Sequence, residues 1–205
     1  MSRTDSRYQD ARPYAFAVAI TQGLFMAAIV ANLGIVFALL NGAVTVASYA
    51  GASDVVLMGC YLVAAVAFAV WTWRVVANAR TFKPSMNASP GWAIGWYFVP
   101  IASLWKPFGY MQETWDASSA QMSRHGSALL RWWWGLWIAS TILSSIGTQL
   151  AAAEQGRGLG LGMIMVITAL TARLVLAVLV IRMAFNLADL QRAKQAGGGA
   201  AEVFT

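Results

Sequence analysis

Few residues of this chain have the chemistry of a catalytic or metal-binding group. It contains one Cys (Cys60) and one His (His125), which excludes a cysteine cluster, an internal disulfide and the usual histidine metal sites. The glycine-rich run at 156–162 fits neither the dinucleotide-binding nor the P-loop spacing. We therefore expect no enzymatic activity, no metal and no cofactor. A membrane enzyme acting on lipid would need an acid or base at the interface, for which Glu113 and Asp116 are available.

The most unusual single charge is Arg173, which lies about 21 Å along a helix from the start of the apolar run 159–187. A basic side chain inside a bilayer costs about 2.5–3.5 kcal/mol on insertion scales and is a functional-site hypothesis by default. Candidate partners are Thr21, Gln22 and Glu113. The alternative is that Arg173 extends its side chain to the inner surface or to backbone carbonyls.

The composition indicates that these residues lie in a protein whose solvent is lipid. Apolar residues make up 59% of the chain and charged residues 11%, and the mean hydropathy is +0.60. A soluble domain has about 45–50% and about 25% respectively. Four long apolar runs each exceed the roughly 20 residues that a spanning helix needs: 14–40, 55–77, 132–153 and 159–187. The sequence predicts an all-α integral membrane protein with four transmembrane helices, in which Asn41-Gly42 ends the first and Ser53-Asp54 caps the second.

A fifth apolar stretch, 91–105, is about 15 residues long and contains Pro100, which favours a re-entrant or interfacial segment over a full span. The charges decide between the two arrangements. With four spans and both termini inside, all 14 basic residues except Arg157 and Arg173 fall on the cytoplasmic side, whereas a fifth span divides them almost evenly. All ten Trp lie between Trp71 and Trp137, near that same side. We therefore predict two hairpins joined by a cytoplasmic loop that contains residues 91–105, named here the Trp/Pro segment.

This arrangement divides the chain into five parts. They are a cytoplasmic N-terminal segment (1–13, expected to be disordered), transmembrane hairpin one (14–78), a cytoplasmic Trp/Pro loop with an amphipathic helix (79–127), transmembrane hairpin two (128–190) and a disordered tail (191–205). Trp92 and Trp96 should share a helix face that Pro100 interrupts. Pro107 suits the first turn of the amphipathic helix, whose apolar face would carry Phe108, Met111, Trp115 and Met122.

The stretch SPGWAIGWYFVPIASLWKP (89–107) is distinctive. With Arg74 and Asn78 upstream and Met111, Glu113 and Trp115 downstream, it resembles a bacterial membrane family known as domain of unknown function 4328, over roughly residues 50–190. The resemblance implies a multi-span bacterial membrane protein with this stretch as its signature. The family has no assigned activity, so it implies no catalytic residue. Ser103 stands where the family pattern often has Asn.

These observations favour a non-enzymatic bacterial inner-membrane protein whose Trp/Pro-rich, basic cytoplasmic interface binds a protein partner or anionic lipid. The candidate binding residues are Arg74, Asn78, Trp92, Trp96, Pro100, Trp105, Lys106, Glu113, Arg173 and Arg182. The alternative function is a small, oligomeric transporter or channel that uses Arg173 and the segment broken at Pro100. A third interpretation is that the Trp/Pro loop has only a structural role and caps the inner face of the helix bundle.

The expected partners follow from the same pattern. Membrane lipids are the first of them, and a ladder of small residues from Ala15 to Ala31 in the first span fits either ordinary helix packing or a homo-oligomer. Nucleic acid is not expected as a partner, because the basic residues are distributed by topology and not along a groove.

Overall fold

The computed structural model describes residues 8–43, 47–119, 124–154 and 159–203, and these residues form helices and connecting turns without a β-strand. The helices are α1 (Arg12–Leu40), α2 (Ala47–Phe82), α3 (Pro90–Gly95), α4 (Lys106–Ser118), α5 (Arg124–Ala153) and α6 (Leu161–Val203), with two 3-10 turns at Trp96–Phe98 and Ala102–Leu104. Met122, Arg157 and residues 1–7, which figure in the sequence analysis, lie outside the described residues.

Four helices in the described part of the chain are long and apolar enough to cross a membrane, which confirms the predicted number. They are Arg12–Leu40, Ser48–Phe82, Ala128–Ala153 and Leu161–Gly197, with mean hydropathies between 1.3 and 2.6. Most of each apolar stretch faces outward, as Phe16, Ile20 and Val55 do. Water would be a poor solvent for such a surface, so the chain is a multi-pass membrane protein.

Helix α1 ends where the sequence predicted, at Asn41-Gly42. Gly42 has φ +82°, and its N–H donates to the carbonyl of Leu39, while the N–H of Ala43 donates to that of Ala38. This pair of bonds is a Schellman motif, which needs a left-handed residue that glycine supplies without steric cost.

The described residues divide into two compact units, of which unit 1 is composed of three segments of chain and unit 2 of two. Unit 2 comprises Ile20–Ala65 and Trp133–Leu179, and its core contains Phe25, Ile29, Ala64 and Leu170. The amide of Asn32 donates to Ser53 Oγ (2.8 Å) and to Asp54 Oδ1 (2.9 Å). Ser53 and Asp54 are therefore not the predicted helix cap: α2 already begins at Ala47, and these side chains instead satisfy a buried amide of α1.

Within unit 2, glycines bring α5 and α6 very close. A Cβ at Gly147 would stand 2.9 Å from the Cβ of Met165, and a Cβ at Gly162 would meet the backbone of Ala151. At the start of α6, the N–H of Gly162 donates to the carboxylate of Glu154 (3.2 Å), a favourable place for a negative charge.

Unit 1 comprises Met1–Ala19, Val66–Trp132 and Val180–Thr205 and therefore contains the Trp/Pro segment. One apolar cluster lies between α2, α3 and α4: Val76, Ala79, Met86, Ala88, Ala93 and Ala117, with Tyr110 against it. Met111 and Trp115 of the predicted amphipathic helix are buried within the protein, and Pro107 lies in the first turn as predicted.

Both predicted disordered ends are wrong where the structure describes them. Residues 191–203 continue α6, with Gln191 fully buried, and Ala11 at the start of α1 is fully buried as well. Helix continues past the last apolar run because side chains of this part form hydrogen bonds with α2 and α4, described below.

We predict that Gly147→Ala and Gly162→Ala each destabilise the protein by about 1–3 kcal/mol, since the added methyl overpacks α5 against α6. Gly34→Ala is the matched control: nothing lies within 4 Å of its Cβ position, so alanine should leave stability unchanged or raise it slightly. Thermal unfolding in one detergent measures both effects. Equal melting temperatures for all three variants would contradict the close approach.

Candidate functional site

The Trp/Pro segment begins within the short, capped helix α3, and the helical backbone ends before Pro100. Ser89 Oγ accepts from the N–H of Trp92 (3.4 Å), and Pro90 occupies the first turn of α3. Val99 is extended (φ −91°, ψ 115°), as expected of a residue that precedes proline.

A strained turn forms the tip of the segment. Ile101 has φ 66° and ψ −55°, and the N–H of Ala102 donates to the carbonyl of Pro100 (2.7 Å). This is a γ-turn of the rare, strained kind, centred on a β-branched residue. Such a conformation costs about 1–3 kcal/mol and persists only where the surroundings hold it.

Most backbone N–H groups of the tip have partners inside the segment, while its apolar side chains are exposed. The N–H groups of Val99, Ser103, Leu104 and Trp105 all donate to carbonyls inside the segment. Phe98 is 81% exposed and Ile101 71% exposed, and about half of Leu104 and Trp105 is exposed. The surface of the tip is thus apolar, and most of its backbone donors have local partners.

Beside the tip, the structure brings three predicted site residues together. The rings of Trp92 and Trp96 pack against each other with centroids 4.7 Å apart and planes tilted by 31°, and Lys106 Nζ lies 5.3 Å from the centroid of Trp96. Tyr110 approaches Trp96 edge-on. The contact between the two tryptophans confirms their predicted common face, and Lys106 adds a cation–π interaction.

The segment runs alongside α2. Tyr97 meets Phe68 edge-on with centroids 6.5 Å apart, and the Cβ position of Gly91 is 3.7 Å from the ring of Trp73. Phe68 precedes Arg80, the basic residue of the last turn of α2, by about 18 Å at 1.5 Å per residue. The segment therefore reaches well back from the basic end of that helix.

Glu113 of α4 anchors the connection that enters the segment. Its two carboxylate oxygens accept from the N–H of Asn87 (2.7 Å) and of Ala88 (2.9 Å). Because both oxygens accept from backbone donors, the geometry gives Glu113 a role in supporting this connection.

Asn78, another predicted site residue, is fully buried at the centre of a polar network. Its amide donates to Gln191 Oε1 (3.0 Å) and to the carbonyl of Gln9 (2.8 Å), and its Oδ1 accepts from the N–H of Gln9 (3.3 Å). It therefore joins the residues before α1, the last turns of α2 and the C-terminal part of α6, and its own side chain is not exposed.

Gln191 extends this network to α4. Its amide donates to the carbonyl of Val75 (2.8 Å) and to Ser118 Oγ (3.1 Å). Nearby, Lys194 Nζ donates to the carbonyl of Ala117 (2.7 Å), where a cation complements the end of α4. The network fixes the helix that follows the Trp/Pro segment.

Gln191, Lys194 and Gln9 were missed by the sequence analysis because they lie in stretches assigned to disorder. One signal was present: Leu187, Gln191 and Lys194 continue the face of the preceding helix at spacings of four and three. Close to them, the ring of Tyr8 packs on Phe82, and burial of the phenol raises its pKa, with the charge of Asp10 adding to the effect.

The remaining predicted cations lie in separate surroundings. Arg74 lies over the ring of Tyr14 at 5.5 Å, whereas Arg182 is exposed on α6. Arg173 is half-buried in unit 2, where Tyr61 is an ionisable neighbour. The structure thus groups Trp92, Trp96 and Lys106, whereas Arg74, Arg173 and the exposed Arg182 lie elsewhere.

A family model described as "Domain of unknown function (DUF4328)" matches residues 32–189 of the chain. The chain belongs to this family. The match includes the whole Trp/Pro segment together with Asn78 and Ser118 of the buried network, and it ends before Gln191. It begins before the stretch from which the resemblance was drawn. Comparison with curated proteins and with solved structures gave no match.

In this family member, we predict that Gln191→Leu lowers the free energy of unfolding by about 1–3 kcal/mol, because Asn78 and Ser118 lose a buried partner. Gln112→Leu, on the exposed side of α4, should leave stability unchanged. Thermal or denaturant unfolding in nanodiscs makes the comparison. If the two variants are equally stable, the network does not hold this end of the bundle.

Proposed function

We propose that this protein is a non-enzymatic bacterial inner-membrane protein with both termini in the cytoplasm, and that its Trp/Pro segment binds anionic lipid at the cytoplasmic interface. The observation that carries the proposal is the exposed apolar tip beside the Lys106–Trp96 pair. Apolar side chains next to a cation match the boundary between acyl chains and charged headgroups.

The proposed topology has two hairpins. Phe25 of α1 contacts Tyr61 of α2, and Asn32 of α1 contacts Ser53 of α2. Residue numbers therefore increase along α1 as they decrease along α2, so the two helices are antiparallel. Between α5 and α6, the close approach of Gly147 to Met165 and of Gly162 to Ala151 has the same antiparallel order. The bias of Lys and Arg sets the cytoplasmic side.

A re-entrant path for the Trp/Pro segment is supported by its hydrogen bonds. Irregular backbone at membrane depth requires partners for its N–H groups, and between 99 and 105 those of five residues have a carbonyl partner inside the segment: Val99, Ala102, Ser103, Leu104 and Trp105. The contact between Tyr97 and Phe68, far from the basic end of α2, favours a tip that dips among the acyl chains.

Lipid is favoured over a protein partner for this surface by its mixture of groups. Trp92 and Trp105, both about half exposed, are residues that favour the headgroup level, whereas Phe98 and Ile101 extend a purely apolar tip. Lys106 supplies the attraction to an anionic leaflet, about 1 kcal/mol for a cation near the surface.

Thiol labelling tests the topology. In a Cys60→Ala background, we predict that Ser85→Cys and Asp116→Cys react with an impermeant maleimide from the cytoplasmic side, and that Asn41→Cys reacts from the outside. All three positions are exposed, so burial does not limit labelling. Opposite sides for Ser85→Cys and Asp116→Cys would mean that residues 91–105 cross the membrane.

A fluorophore on Phe98→Cys tests lipid binding in the same background. We predict that brominated phosphatidylglycerol quenches it more strongly than brominated phosphatidylcholine, and that Lys106→Gln reduces this preference. Lys83→Gln removes an exposed cation outside the segment and should leave the preference unchanged.

Two results would contradict the proposal. Equal quenching by both lipids would remove the preference for anionic lipid. Absence of quenching by either would place the tip outside the bilayer, and a crosslink from position 98 to another polypeptide would then favour a protein partner.

A further inference from the structure

One groove in unit 1 lies apart from the exposed tip. Its floor is a single face of α2, formed by Val66, Ala69, Val70, Trp73 and Arg74 at helical spacings of three, one, three and one. Its walls are Tyr14 of α1 and Ile94 of α3. The groove has a volume of about 290 Å³ and extends along α2 for about 12 Å at 1.5 Å per residue.

The shape and lining of the groove suit a linear apolar chain. Its floor is aliphatic from Val66 to Val70, and the wall at Ile94 is aliphatic too. Polar groups enter the lining at one end, where Arg74 and Tyr14 meet. A ligand that fills the groove would therefore be apolar along its length and charged at that end.

Arg74 lacks a compensating charge. Its guanidinium lies over the ring of Tyr14, and its buried Nε has no hydrogen-bond partner. In the described part of the chain, the pair of Arg12 with Asp189 is the one ion pair, and it leaves Arg74 without a carboxylate. A partly buried cation with a buried, unpaired donor is stabilised by an anion that can accept from that donor.

The position of Arg74 fits a headgroup. It precedes Arg80 by about 9 Å along α2, and Trp73, about half exposed, lies at the same level. Tryptophan favours the headgroup region of a bilayer. The rest of the groove extends from Arg74 away from the basic end of α2, in the direction in which acyl chains would extend.

We propose that this groove holds one anionic phospholipid, with an acyl chain along α2 and the phosphate on Arg74. The inference rests on the proposed function, which it deepens: the Trp/Pro segment would contact the leaflet in general, and this groove would retain a single molecule. Ile94 of α3 is part of the groove wall, so the bound lipid also packs against the start of that segment.

Native mass spectrometry of the full chain tests the site. The protein is purified from a defined mixture of phosphatidylglycerol and phosphatidylcholine, and one bound phosphatidylglycerol is expected. Arg74→Gln should reduce its occupancy roughly tenfold, and Arg74→Lys, which keeps the charge, should retain part of it. Arg80→Gln, which removes an exposed cation of α2 outside the groove, should have no effect.

A second pair of variants tests the apolar part. Ala69→Phe fills the floor of the groove and should expel the lipid while Arg74 is unchanged. Ala65→Phe adds the same bulk on an exposed position of α2 and should leave occupancy as in the wild type. A monodisperse elution profile for each variant ensures that loss of lipid is not loss of fold.

Three outcomes would overturn the inference: wild-type occupancy in Arg74→Gln, equal retention of both lipids by the wild type, or wild-type occupancy in Ala69→Phe. Loss of lipid in Ala69→Phe alone would make the groove a site for any acyl chain. The quenching at position 98 separates the two proposals. Suppose that brominated phosphatidylglycerol still quenches the fluorophore at position 98 more strongly than brominated phosphatidylcholine, while Arg74→Gln retains wild-type occupancy of phosphatidylglycerol. The groove assignment then fails and the proposed function stands.

Discussion

The buried amide pair of Asn78 and Gln191 is the interaction on which the rest of unit 1 depends. It joins four separate parts of the chain, and each of its polar groups would be costly to leave without a partner in a surrounding of low dielectric. Apolar helices pack against one another with little positional preference when lipid is the solvent, because lipid tails are as apolar as the side chains. Hydrogen bonds of fixed geometry supply the register that hydrophobic packing alone does not.

This fixed frame explains how a strained turn can persist. The γ-turn at Ile101 is unfavourable by itself, and the two sides of the segment are held by Glu113 at the connection from α2 and by the Gln191–Ser118 bond at the end of α4. Strain maintained in this way keeps Phe98 and Ile101 directed outward. The buried network therefore supports the turn from inside the protein, and the turn in turn exposes the apolar side chains of the tip.

The cations of unit 1 differ in how they are used. Lys194 and Arg12 have acceptors within the protein, at Ala117 and Asp189, and contribute to the fold. Lys106 and Arg74 have aromatic rings in place of carboxylates. A cation on a ring keeps hydrogen-bond donors available, which is what the proposed binding of an anionic headgroup requires of these two residues.

The sequence by itself determined the number of apolar helices, the end of α1 at Gly42, the start of α4 at Pro107 and the family. These depend on local properties: length and composition set spans, and Gly and Pro restrict the backbone directly. It did not determine the continuation of α6 past residue 190, the inward position of Asn78, or the placing of Arg74 over Tyr14 in a groove. Those features are pairings between residues far apart in the chain, such as Asn78 with Gln191. Only the tertiary structure decided them, because the sequence alone does not show whether the hydrogen-bond partner of a polar residue is water or another helix.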